Sequence, residues 1–238
     1  MNRARARILA CLIGVSILAA CSGAPTGPAE TPMAVPTAAP GAQGSLEPTL
    51  TAELGRAATT SADQPGLALH SAAFPDGGEI PASYTCDGQN DSPALSWSGV
   101  PAESQALALI VYDRDAGRDL GATTDLGFIH WLIYDLPVSA TGIAAGATGD
   151  VRALSGGVEA PNDFIAAARS TFPGGSAIRG RGYDGPCPPA RHTYVFRLLA
   201  MDQPLGLPAG SPPQAILQAL EGHVLAAADW TGMYSPAR

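Results

Sequence analysis

The sequence predicts a mainly β fold, a sandwich of two antiparallel sheets with a few short accessory helices. Three observations point there. Residues 106–113 and 128–136 are short apolar runs rich in branched and aromatic side chains, which is strand character. Residues 192–201 (HTYVFRLLAM) alternate, with Tyr194, Phe196 and Leu198 on one face and Val195, Arg197 and Leu199 on the other. Only one stretch combines helical periodicity with helix start and stop signals, so sheets must form the layers.

In chain order, residues 94–97 (ALSW) read as a short strand between Pro93 and a turn at residues 99–101. The runs ALALIVYD (106–113) and FIHWLIYDL (128–136) follow as longer strands. Residues 144–176 are rich in Gly and Ala and weakly patterned, which predicts loops with a short helix around residues 163–169. Residues 182–194 (GYDGPCPPARHTY) form a Gly/Pro loop that runs into the alternating strand. Proline fixes φ and glycine permits turns closed to other residues, so this loop has few conformations to lose. It can hold backbone N–H groups and His192 still, as recognition of a small anion requires. Ser211 is placed to cap the one clear helix, Pro212 suits its first turn, and Ile216, Leu217 and Leu220 form its apolar stripe. Gly222 should end it, and residues 223–228 then form a last strand.

The N-terminal part has a different character. Arg3, Arg5 and Arg7 precede an apolar run over residues 8–20 that is short for a membrane span of about 20 residues. Its end, Leu18-Ala19-Ala20-Cys21, resembles a lipobox, which makes residues 1–20 a lipoprotein signal peptide and Cys21 the lipidated residue. An uncleaved anchor or an ordinary signal peptide are the alternatives. Residues 21–65 are rich in Ala, Pro and Thr, lack apolar periodicity and read as a disordered tether. Residues 66–238 are then a single domain on the extracytoplasmic side, at the cell surface or in the periplasm. Cys86 and Cys187 lie in that domain, where an oxidising compartment permits a disulfide; two small buried hydrophobes are the other reading.

Charge narrows the partners. Without its three signal arginines the chain has 10 Arg and no Lys against 21 acidic residues, a formal charge of −11. That argues against nucleic acid and against electrostatic binding to anionic membranes, and the lack of lysine excludes lysine chemistry.

Polar groups gather at strand ends in three places: Asp113-Arg114-Asp115, His130-Trp131, and the loop with His192 and Tyr194. A histidine inside FIHWLIY needs partners for its ring nitrogens, and Asp113 is the natural carboxylate for His130. From His130 alone a satisfied core histidine is the simpler reading; the added Asp113, His192 and rigid loop favour a site. The residue types suit zinc or iron, yet no H-x-H, H-E-x-x-H or C-x-x-C spacing supports a metal. There is no G-x-S-x-G elbow, and Cys187 between prolines is a poor nucleophile, so no catalytic residue is assigned. Residues 174–180 lack the lysine and spacing of a P-loop, and no cofactor is expected. An anion pocket of two histidines, backbone N–H groups and tyrosine hydroxyls remains.

Several motifs, in this order, resemble those of the phosphatidylethanolamine-binding proteins, also called Raf kinase inhibitor proteins. They are Asp113-Arg114-Asp115-Ala116, Phe128-Ile129-His130-Trp131, residues 182–194, and Gly222-His223-Val224-Leu225-Ala226. Tyr84-Thr85-Cys86-Asp87-Gly88 and Ser92-Pro93-Ala94-Leu95-Ser96-Trp97 are similar to the bacterial branch, and the resemblance spans residues 69–234. It implies a β-sandwich with a small surface pocket for a phosphate-like or carboxylate group, such as a phospholipid headgroup. By motif, Asp113 and Asp115 match the acidic signature, His130 the first pocket histidine, and His192 and Tyr194 the second region. Gly185 and Pro186 fall on the pocket wall, continued by Cys187, Pro188 and Pro189. Arg114 and Gly117 stand where the family has prolines, so the resemblance implies a looser loop with a charge beside the pocket. The insert over residues 165–181, with Arg169, Arg179 and Arg181, reads as a solvated loop or an extension of the binding surface.

Together these readings describe a membrane-tethered binding protein for a small anion, with no chemical step. Histidines binding as imidazolium would lose affinity as pH rises through pKa values that Asp113 should raise. The alternatives are a regulator or inhibitor of an extracytoplasmic protease or envelope protein, and a hydrolase or metal-assisted enzyme.

Overall fold

The computed structural model describes residues 66–148, 156–166 and 177–236. The expected signal peptide and tether, with Cys21, and Arg169 lie outside the described residues. Among the described residues no helix is long and apolar enough to cross a membrane.

Among the described residues nine strands form two sheets: β1 (Ala68–His70), β2 (Gly78–Glu79), β3 (Leu95–Ser98), β4 (Ala106–Asp113), β5 (Phe128–Leu136), β6 (Gly142–Ile143), β7 (Val158–Glu159), β8 (His192–Met201) and β9 (Val224–Tyr234). The large sheet has the order β2-β9-β8-β4-β5-β7 and the small one β1-β3-β6. This is the mainly β, two-sheet architecture expected. One pairing departs from it, because β2 runs parallel to β9. That edge strand comes from far along the chain, so no hairpin dictates its direction.

The long strands are apolar throughout because both faces of the large sheet are covered. Leu107, Leu109, Val111, Phe196 and Leu198 face the small sheet, where Leu69, Leu95, Trp97 and Ile143 meet them. Ala108, Ile110, Leu132, Val195 and Leu199 face the other way, onto the helix α2 (Pro213–Leu220). All eight residues of β4 are buried in consequence. On α2 the predicted stripe of Ile216, Leu217 and Leu220 is fully buried, worth about 1.5–3 kcal/mol per side chain. The cap differs from expectation: the Ser211 hydroxyl donates to the Pro208 carbonyl (2.8 Å), and Pro212 occupies the N-cap. Gly222, at φ 78°, follows the end of the helix as predicted.

Two irregularities in β5 matter more than its length. Val111 pairs with Trp131 and Tyr112 with Ile129, so His130 is an extra residue opposite neither. The alternation breaks there: Trp131 and Ile133 belong to one core, whereas Ile129, Leu132 and Tyr134 belong to the other. A second shift lies near Asp135, which has φ 56°. A bulge of this kind bends a strand and re-aims a side chain. β9 extends six residues past the predicted 228, paired with β8 along nearly all its length. β7 arises within the stretch expected to be loop, and the short helix there is α1 (Asp163–Ala166).

Candidate functional site

The site forms at one end of the large sheet. Antiparallel pairing brings the last residue of β4, Asp113, opposite Phe128 at the start of β5 and Tyr194 near the start of β8. His192 opens β8 opposite Tyr234, near the end of β9. Residues almost 80 positions apart in sequence therefore share one edge. Around them lies a cavity of about 460 Å³, lined by Asp87, Asp113, His130, Phe128, Phe164, His192 and Tyr234, with Ala116, Leu120, the Cys86 and Cys187 pair, Pro188, Pro189 and Pro236.

The loop wall is clamped to residues 84–90. Cys86 and Cys187 form a disulfide with their Cα atoms 5.4 Å apart. Beside it, the Cys86 N–H donates to the Pro186 carbonyl (3.0 Å) and the Gly185 N–H donates to Asn90 Oδ1 (2.7 Å). The Tyr183 hydroxyl donates to the Tyr84 carbonyl (2.6 Å). Gly185 is required by this close approach, since a Cβ there would lie 2.2 Å from the Tyr84 carbonyl oxygen.

His130 and His192 are held differently. The bulge turns the His130 ring into an aromatic frame, edge-on to Phe164 (5.3 Å between centroids) and Tyr194 (5.2 Å). Its Nδ1 lies 2.6 Å from the carbonyl oxygen of Asp184. A carbonyl only accepts, so Nδ1 carries the hydrogen. Burial pushes the His130 pKa below the ordinary 6.5, against opposing pulls from the Asp184 carbonyl and the carboxylates of Asp113, Asp184 and Asp163. The neutral ring therefore presents a lone pair at Nε2. His192 instead places Nδ1 2.7 Å from Asp113 Oδ2, and Asp113 Oδ1 accepts from the Asp115 N–H (2.9 Å). Asp113 thus partners His192, not His130 as the sequence suggested. The expected upward shift for His130 is likewise replaced by a downward one, because burial outweighs the nearby carboxylates.

Behind His130, the fully buried Asp184 carboxylate ties three segments together. It accepts from Asn162 Nδ2 (2.8 Å), Gly180 N (2.8 Å), Arg179 N (3.0 Å) and, more loosely, Asn90 Nδ2 (3.3 Å). The Arg179 guanidinium donates to the carbonyls of Asn90 (2.9 Å) and Tyr183 (3.2 Å). Arg179 thus braces the support while its side chain stays partly exposed and outside the cavity lining. Asp163 accepts from Ile129 N (2.8 Å) and from Thr123 N (3.2 Å), which fixes the start of β5.

Of the seven ligand-site residues expected from sequence, Asp113, His130 and His192 line the cavity. Asp115 is exposed and accepts from Thr193 N (2.7 Å), tying the turn after β4 to β8. Gly185 and Pro186 are buried behind the wall they shape, and Cys187, Pro188 and Pro189 form its surface. Tyr194 is buried under His130; burial first, then the Asp113 charge, pushes its pKa up, and its hydroxyl makes no well-formed hydrogen bond. Arg114 is exposed and outside the lining, which among the described residues includes no arginine. Sequence reasoning missed Asp87, whose carboxylate accepts from the Tyr234 hydroxyl, and the apolar Phe128, Phe164 and Leu120. Asp87 directly follows Cys86, so the half-cystine was the available signal. Among the described residues, no group of three or more His, Cys, Asp or Glu side chains is arranged to hold a metal ion.

Comparison with known proteins places this geometry. Residues 70–235 match the family model described as phosphatidylethanolamine-binding protein. A UPF0098 protein of Methanothermobacter thermautotrophicus is 41% identical over 167 residues, covering 70% of this chain and 97% of that one. A Mycobacterium tuberculosis protein named "Putative lipoprotein LppC" is 37% identical over 165 residues, 66% of this chain and 68% of its own length. Among solved structures, E. coli YbcL, described as a new member of the mammalian PEBP family, superposes with a TM-score of 0.59 at 28% identity, covering 73% of this chain and all of that one. A PEBP homologue of Chlamydia trachomatis gives a TM-score of 0.58 at 33% identity, covering 72% and 99%.

Proposed function

Since this chain belongs to the phosphatidylethanolamine-binding protein family, we propose that its domain binds a small phosphate-like anion, free or as a lipid headgroup, between His130 and His192. One observation carries the reading. Both rings have Nδ1 engaged by the protein and line one largely apolar cavity, which leaves both Nε2 atoms for a ligand. When His192 is protonated, its Nε2–H donates to an anionic oxygen while Asp113 balances the ring charge. The apolar walls strengthen such contacts by excluding water.

Binding without chemistry is the reading for the same cavity. Its two cysteines are joined to each other, among the described residues no serine, threonine or lysine lines it, and the Tyr234 hydroxyl is donated to Asp87, which supports binding without an activated nucleophile. The domain is further proposed to be carried on the extracytoplasmic face of a membrane by a lipid on Cys21. The basic start, apolar run and lipobox-like end support this, as does the lipoprotein name of the mycobacterial relative.

Titration of phosphoethanolamine at pH 6, followed by NMR of the histidine rings, tests the binding. Signals of His130 and His192 should move together, and His192→Ala should remove the response while leaving the near-UV spectrum unchanged. Full binding by both His192→Ala and His130→Ala would place the ligand elsewhere. For the anchor, labelling with a radioactive fatty acid should be lost in Cys21→Ala; retained label would refute it.

A further inference from the structure

We propose that the Cys86–Cys187 bond is a reversible modification site: a small monothiol entering the cavity exchanges onto Cys187, and Cys86 reverses the exchange. The inference concerns the wall of the cavity and does not depend on what binds between the histidines. The two half-cystines are unequally placed. Both border the cavity of about 460 Å³, but Cys86 is 5% exposed, whereas Cys187 is only partly buried against Ala116, Phe128 and Phe164. Exchange proceeds by attack of a thiolate on one sulfur while the other leaves, and access decides which sulfur is attacked. That sulfur is Cys187. The incoming sulfur bonds to Cys187 Sγ, the Cys86–Cys187 bond breaks, and its electron pair leaves on Cys86 Sγ, which takes a proton from water. One thiol and one disulfide become another thiol and another disulfide, so no further oxidant or reductant is needed.

Reversal depends on a clamp that does not use the sulfurs. The Cys86 N–H donates to the Pro186 carbonyl (3.0 Å), the Gly185 N–H to Asn90 Oδ1 (2.7 Å), and the Tyr183 hydroxyl to the Tyr84 carbonyl (2.6 Å). Asp184, fully buried and bound by Asn162 and Gly180, anchors the same loop from behind. These bonds flank both cysteines and hold the two segments together when the disulfide opens, although 101 positions separate them in sequence. The Cα atoms are 5.4 Å apart, inside the roughly 4.4–6.8 Å that a disulfide spans. Cys86 therefore stays beside the modified sulfur at high local concentration, and its burial shields it from other thiols. The adduct on Cys187 shares the cavity with anything else that enters.

2-Mercaptoethanol is the probe. The full chain is treated with a limiting amount at about pH 8, near the ordinary thiol pKa of about 8.5, then quenched with acid and mapped by mass spectrometry without reduction. Adduct on Cys187 should exceed adduct on Cys86 at least tenfold, with Cys86 recovered as the thiol. Removing the free thiol and restoring the pH should re-form the bond and release the adduct. Cys86→Ser, loaded with 2-hydroxyethyl disulfide, should keep its adduct through the same step. Thiol-terminated polyethylene glycol, too large for the cavity, should react at least tenfold more slowly. Equal labelling of the two cysteines, no adduct on protein whose bond is intact, or an adduct that persists on the native chain would overturn the proposal. Equal rates for the polymer would overturn entry through the cavity and place the reactive sulfur within reach of a protein thiol. A near-UV spectrum lost on modification would show that the clamp fails without the bond, and reversal by Cys86 with it. None of these results bears on the anion-binding reading, which its own titration tests.

Discussion

Replacing Asp184 by alanine is expected to cost about 4 kcal/mol of folding stability, although this side chain lies outside the cavity. Its carboxylate is fully buried and accepts well-formed bonds from Asn162 Nδ2 and Gly180 N at 2.8 Å and from Arg179 N at 3.0 Å. Alanine leaves these three donors without a partner, at about 1–3 kcal/mol each, and water entering the vacated space recovers part of the sum. The Arg179 guanidinium adds little: it lies 3.9 Å away and its side chain is 37% exposed, so solvent screens the pair. About 4 kcal/mol is a large share of the roughly 5–15 kcal/mol that holds a domain together. The same change should loosen the Asp184 carbonyl and let His130 exchange between its two neutral forms. Urea unfolding followed by tryptophan fluorescence reads the first effect, and ¹⁵N shifts of the His130 ring read the second. A loss below about 1 kcal/mol with an unchanged Nδ1–H ring would refute both the energetics and the positioning role.

Three further outcomes follow from the same packing. Because His130 is held below its unfolded pKa of about 6.5, the unfolded chain takes up the proton first on acidification. Stability should then fall as pH drops below about 6.5, by about 1.4 kcal/mol per unit of lowering, and level off below the folded pKa. His130→Gln should lack this limb in paired urea titrations, and a His130 ring midpoint at or above 6.5 would contradict it. Gly185→Ala should destabilise by about 2 kcal/mol or more, since its Cβ would meet the Tyr84 carbonyl at 2.2 Å; an unaltered urea midpoint would show that the wall can yield. Reducing the Cys86–Cys187 bond, which spans 101 positions, should lower stability by about 2–5 kcal/mol, and two free thiols in unreduced protein would show that the bond does not form.

Much of the fold was legible because strand and helix periodicities are local. ALALIVYD, HTYVFRLLAM and the Ile216, Leu217 and Leu220 stripe each occupy the element they predict. The cavity histidines and Asp113 were also legible, as polar residues misplaced in apolar runs that need a reason to be there. Their partners were not. A sequence shows that His130 requires a hydrogen bond, but the bulge that removes it from the β5 register depends on how β4 and β5 meet, and no local pattern encodes that. The Ser211 cap failed for a related reason: its hydroxyl had more than one reachable partner, and packing decided between them.

By itself, then, the sequence determined which residues would be strands, which polar groups had to be satisfied, and that two histidines, an aspartate and a stiff loop belonged to one site. Only the tertiary structure decided that Asp113 serves His192, that a main-chain carbonyl serves His130, and that Asp184 holds that carbonyl in place. Side-chain character is a property of each residue, while hydrogen-bond partnership belongs to pairs brought together by the sheet. Which ring nitrogen is held by the protein follows from the partnership.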